Sequence, residues 1–117
     1  MSLRLVSADG EVVAERVHHA RTYTERARGL LGREPLGPGE ALVILRARQV
    51  HTFGMRYPID VCFCDRGWRV LHVVRSLRPR RVTRWVRRAR YAVEMRAGSM
   101  PPLGRGDQLS FEELSER

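Results

Sequence analysis

Short apolar runs closed by turns recur along this chain, and only one segment departs from that period. Leu3 and Leu5 alternate with polar neighbours, Ala8-Asp9-Gly10 supplies a turn, and Val12, Val13 and Val17 resume the pattern, as in a hairpin. Residues 41–45 are an apolar run of strand length, 59–63 are another that carries one acid, Asp60, and Asp65-Arg66-Gly67 turns the second into residues 68–74. Tyr91, Val93 and Met95 alternate with Ala92, Glu94 and Arg96, the signature of a half-buried strand; after the turn-rich stretch 97–106, residues 108–111 close the sheet. The exception is RTYTERARGLLGR, residues 21–33. Thr24 can cap a helix there, Glu25 suits its positive first turn, Ala27, Leu30 and Leu31 form one apolar stripe, and Gly32 can end it, with Gly29 inside. Residues 34–40 are a loop by their prolines and glycines. The expected fold is mainly β, a compact β-sandwich or partly open barrel with one short α-helix.

Residues 1–117 are expected to form a single domain, since two pieces would each be too small to hold a core. With 43% apolar and 30% charged residues the chain has the composition of a globular protein rather than a disordered tail. No apolar run approaches the roughly 18 residues of a membrane span. The stretch MSLRLVSADGEVV has no long apolar core behind a basic start, so no signal peptide is expected and the cytoplasm is the expected location. Cys62 and Cys64 fall on one face of a strand, poorly placed to bridge each other, and free thiols fit a reducing compartment. The chain offers no zinc-type ligand set, and neither a metal nor a cofactor is expected.

All 22 basic residues are arginine and the formal charge is +9. Drift in a GC-rich genome produces arginine without lysine; bidentate binding of phosphate or carboxylate also calls for guanidinium groups. Either way the folded surface attracts anions. No acid falls between Asp65 and Glu94, and Arg78, Arg80, Arg81, Arg84, Arg87 and Arg88 crowd around Trp85. Such a segment could grip a nucleic-acid backbone and stack on a base. The plainer alternative is a solvated loop with Val82, Trp85 and Val86 tucked onto the core.

The densest candidate site is HTFGMRYPIDVCFCD, residues 51–65, which runs from a polar turn through Pro58 into an apolar strand. His51 can serve as base, ligand or structural hydrogen-bonder, with Thr52 beside it. Asp60 enters a strand destined for burial, where it must be paired or accept N–H groups; Arg56, Arg28 and Arg33 are candidate partners. Met55 and Phe53 offer an apolar wall, and Gly54 a backbone angle that side chains disfavour. Arg28 and Arg33 flank the helix end and could receive an anion. No P-loop, dinucleotide fingerprint, nucleophile elbow or H-E-x-x-H occurs.

Taken in order, RARGLLGR (26–33), the 51–65 block, Asp65-Arg66-Gly67, YAVEMRAG (91–98) and GDQLSF (106–111) resemble the Domain of Unknown Function 192 family over about residues 15–111. The resemblance implies a small, mostly β, sandwich-like fold with a short packed helix, and no established activity. Its recurring pattern falls on Arg28, Gly29, Gly32, Arg33, His51, Met55, Pro58, Asp60, Asp65, Glu94, Gly98, Gly106 and Asp107. Three functions follow as expectations. The first is a non-enzymatic binding module for an anionic small molecule or acidic macromolecule, using Arg28, Arg33, His51, Thr52, Met55, Arg56 and Asp60. The second is nucleic-acid binding through residues 75–90. The third is a small hydrolase or isomerase with His51 and Asp60 as base and orienter, which requires both in one cleft.

Overall fold

The computed structural model describes residues 3–114. Its strands are β1 (Leu3–Ser7), β2 (Val12–Ala14), β3 (Arg16–Ala20), β4 (Glu40–Leu45), β5 (Ile59–Cys64), β6 (Val70–Leu77), β7 (Tyr91–Arg96) and β8 (Leu109–Glu113), with one helix, α1 (Tyr23–Arg28). They form a three-stranded sheet, β2-β1-β8, and a five-stranded sheet, β3-β4-β7-β5-β6. The first is antiparallel throughout. In the second, β3 lies parallel to β4 and the other pairs are antiparallel. The sandwich reading holds, and neither sheet closes into a barrel.

Alternation along the strands divides the apolar residues of the large sheet between two cores. Val43, Cys62, Val93 and Met95 meet Leu5, Val13 and Leu109 of the small sheet. Ile44, Ile59, Val61, Phe63 and Ala92 face the other way and pack with Leu30, Leu36, Val50, Val86 and Ala89 from the helix turn and loops. The large sheet is therefore covered on both faces, and every residue of β5 is buried. This corrects the half-buried expectation for β7: Ala92 and Glu94, like Val93 and Met95, are buried. Cys62 and Cys64 are free thiols with sulfurs 3.8 Å apart. Trp68 ties the two sheets together, stacking on Tyr91 at 4.0 Å between ring centres and meeting Phe111 edge-on at 4.8 Å.

The loop after β6 is held in register with the segment after β4. Arg46 N–H donates to Arg90 O (2.6 Å), Val86 N–H to Arg48 O (2.8 Å), Thr83 N–H to Val50 O (2.9 Å) and Thr52 N–H to Arg81 O (2.8 Å). These pairs run antiparallel, so residues 46–52 and 81–90 lie side by side. Val86 tucks onto the core as expected, but Val82 and Trp85 do not: both are exposed.

Candidate functional site

Helix α1 starts two residues earlier than the sequence implied. Thr22, not Thr24, is its N-cap: Thr22 Oγ1 accepts from Glu25 N–H (3.1 Å) and Glu25 Oε1 accepts from Thr22 N–H (3.0 Å). This reciprocal box satisfies two donors that a helix start would leave open. The stop is Gly29 rather than Gly32. Its backbone (φ 51°, ψ −126°) lies where side chains are strongly disfavoured, and its N–H bonds Glu25 O.

The chain then dips into the second core through Leu30, and the turn 29–33 docks against residues 49–57. Tyr57 donates its hydroxyl to Arg33 O at 3.0 Å. Gly54 makes room for Leu31, whose Cδ1 would lie 2.6 Å from a Cβ placed there. Burial pushes the Tyr57 hydroxyl above its ordinary range.

Beneath this turn lies a cavity of about 80 Å³, walled by Gly29, Leu30, Ile44, His51 and Met55, with Arg26 and Arg28 at its edge. Its floor is Glu94. That carboxyl is 3% exposed, and its Oε1 has no hydrogen-bond partner among the described residues. Burial in apolar surroundings pushes Glu94 up to about 7 from an ordinary 4.5. A Cβ on residue 29 would sit 3.5 Å from Glu94 Oε1 and 3.4 Å from Ile44 Cδ1. The missing side chain of Gly29 is thus part of what keeps space above the acid. An unpaired polar atom buried next to a space is a costly arrangement for a scaffold and a useful one for a ligand.

The sequence candidates divide around this cavity. Arg28, His51 and Met55 line it together with Glu94. Arg28 Nε is engaged by Leu31 O at 3.0 Å, and His51 Nδ1 accepts from Phe53 N–H at 3.3 Å. Arg33 and Arg56 lie in an adjoining groove with Met55 and Tyr57. Phe53 is exposed and forms no wall.

Two candidates face elsewhere. Thr52 is wholly buried, its hydroxyl donating to Arg78 O (2.6 Å) and accepting from Arg81 N–H (3.0 Å), so it fastens the loop. Asp60 shares the opposite sheet face with Cys62 and Cys64. Its Oδ1 accepts from Ser76 N–H (2.8 Å) and its Oδ2 from Gly98 N–H (2.9 Å) and Met100 N–H (3.3 Å). None of the expected arginines pairs with it. His51 and Asp60 are therefore separated by the large sheet, and a base–orienter pair between them has no geometric basis.

Glu94 was not among the sequence candidates for the site. Its alternation with Val93 and Met95 made it look solvent-facing, although the recurring family pattern included it. Among the described residues no cluster of three metal-ligating side chains occurs, and no helix is long and apolar enough to cross a membrane.

No curated protein matches the chain. Two solved structures share its fold. One is a protein of unknown function from Novosphingobium aromaticivorans (TM-score 0.75, 22% identity, 94% of this chain and 84% of that one covered). The other, from Sinorhizobium meliloti, is described as a "putative transcription regulator" (TM-score 0.77, 20% identity, 93% and 91% covered). The match that places the chain in a family is to the sequence pattern described as "Uncharacterized ACR", which spans residues 4–111: the protein belongs to the Domain of Unknown Function 192 family.

Proposed function

We propose that this protein is a binding module for a small anionic molecule, seated between the Gly29 turn and Glu94. The observation that carries this reading is the buried, unpartnered Glu94 Oε1 facing a cavity beside Gly29. A space of about 80 Å³ is far below the roughly 300 Å³ of a whole ligand pocket, so only a small polar group enters it. That group is a hydroxyl or ammonium, since Glu94 when ionised only accepts hydrogen bonds. The rest of the ligand lies at the mouth, where Arg26 and Arg28 favour a carboxylate or phosphate. Hydroxy- and amino-carboxylates, and their phosphate counterparts, carry both features. The net charge of +9 raises the local concentration of any such anion.

The test is a titration of labelled protein at pH 8 with glycolate, glycine and phosphoglycolate, with acetate as the ligand lacking the inner group. Amide shifts of Gly29, Leu30 and His51 report binding. Glu94→Gln is expected to weaken the hydroxyl- and ammonium-bearing compounds by about 10-fold or more, the size of a hydrogen bond to a charged group, while sparing acetate. If millimolar concentrations of the whole panel leave those amides unmoved in a folded protein, the reading fails.

A further inference from the structure

We infer that the paired segments 46–52 and 81–90, with Phe53 in the turn that follows the first, form a binding face for single-stranded nucleic acid, with Trp85 and Phe53 as stacking platforms. This face borders the Glu94 cavity, with Arg26, Ala27 and Gln49 between them, but the case for it makes no use of Glu94. Its first support is the way the loop is seated. Thr83, Val86 and Ala89 are buried at every third position, so the residues between them, Arg84, Trp85, Arg87 and Arg88, are all turned outward and exposed. The backbone bonds to residues 46–52 hold this display in place.

The second support is electrostatic. Residues 41–93 contain two acids, Asp60 and Asp65. Asp60 is spent on backbone N–H groups across the sheet, and Asp65 caps its own turn by accepting from Gly67 and Arg69 N–H. Ion pairs among the described residues are Arg4–Glu15, Arg4–Glu112 and His18–Glu40, so no arginine of this face meets a carboxylate. Arg46 and Arg48, on the neighbouring segment, share a groove with Trp85.

The third support is apolar. Phe53, Val82 and Trp85 are the exposed large hydrophobics of the described residues, at 51%, 51% and 57%, and all three lie on these segments or next to them. Codon drift accounts for arginine but not for an exposed tryptophan among unpaired guanidinium groups. Flat aromatic rings in an arginine field suit a partner with both phosphates and accessible base faces, which a single strand has and a duplex hides. An acidic peptide would satisfy the charge and leave the rings unused.

Fluorescence anisotropy with labelled 15-nucleotide oligo(dT) and oligo(U), a duplex of equal length and heparin tests this across a sodium chloride series. Wild type is expected to bind the single strands more tightly than the duplex, with affinity falling steeply as salt rises. Trp85→Ala, at an exposed position, should weaken single-strand binding about 10-fold and change duplex and heparin binding less than 2-fold. Arg84→Ala and Arg88→Ala should each reduce the salt slope by about 1, whereas Arg96→Ala, at the far end of β7 from Arg90, should leave it unchanged. Two outcomes overturn the inference. One is an unchanged Trp85→Ala affinity with Arg96→Ala as harmful as Arg84→Ala, which is diffuse polycation behaviour. The other is binding to phosphatidylserine vesicles with none to either oligonucleotide.

Discussion

Asp60 and Glu94 are both acids buried in the five-stranded sheet, on neighbouring strands, at 1% and 3% exposure. They point to opposite faces and end in opposite states. Asp60 accepts three backbone N–H bonds, tying a bulge of β6 at Ser76 to the 98–100 turn. Glu94 meets a gap left by a glycine and keeps an oxygen without a partner. Burial of a carboxylate therefore does not by itself mark a site. What separates scaffold from site is whether the burial has been compensated within the chain, which is a property of the neighbouring backbone and invisible in the acid's own sequence context.

The strongest way to break this comparison is at Asp60. Asp60→Ala strands three N–H donors around a buried position and is expected to lower unfolding free energy by about 4 kcal/mol, measured by urea denaturation. A loss below about 1 kcal/mol would mean the clamp is not what holds the 98–100 turn.

The next effect belongs to Glu94 and has the opposite sense. Its folded value is raised above the unfolded one, so between about pH 4.5 and 7 the native state holds a proton that the unfolded chain has released. Stability should accordingly fall as pH rises through that window, by about 3 kcal/mol in total, and level off above it. Glu94→Gln should remove this slope and be about 1–2 kcal/mol more stable than wild type at pH 8.5. Chemical denaturation of both proteins at pH 5, 7 and 8.5 measures it as the difference between the two profiles, since the lowered His19 and His72 add an opposite slope to both; parallel profiles would contradict the buried, uncompensated acid.

The smallest effect sharpens the contrast by loosening the cover over Glu94 alone. Thr22→Ala removes the N-cap bond and should cost about 1 kcal/mol. In hydrogen exchange its effect should concentrate on residues 25–31 and spare the backbone donors around Asp60.

Much of the architecture could be read from the residues. The runs at 41–45 and 59–63 and the alternation from Tyr91 became strands where expected, and Asp65-Arg66-Gly67 a turn, because period and turn chemistry act locally. The helix was expected in the right segment, but its cap lies two residues earlier and it ends at Arg28, before Leu30 and Leu31 of the expected stripe. Thr22-x-x-Glu25 forms a capping box that Thr24 cannot, and Gly29 is a stop rather than an interior weakness. The candidate site was half legible. Arg28, His51 and Met55 lie in contiguous blocks with visible polar character, and they do converge. Glu94 was obscured because a central strand covered on both faces still alternates in sequence, and the second layer that buries it comes from distant loops. Asp60 drew attention by its burial, yet its partners are backbone groups with no sequence signature.

The position of β7 has one more consequence. It lies between β4 and β5 and contributes to both cores, so its amides should open only when the whole protein unfolds. Helix α1 has six residues, well short of the length at which a helix persists unaided. Glu94 thus stands on the strand expected to open last, beside the helix expected to fray first. If solutes reach it by such fraying, the opening should require only a small fraction of the free energy that holds the sheets together.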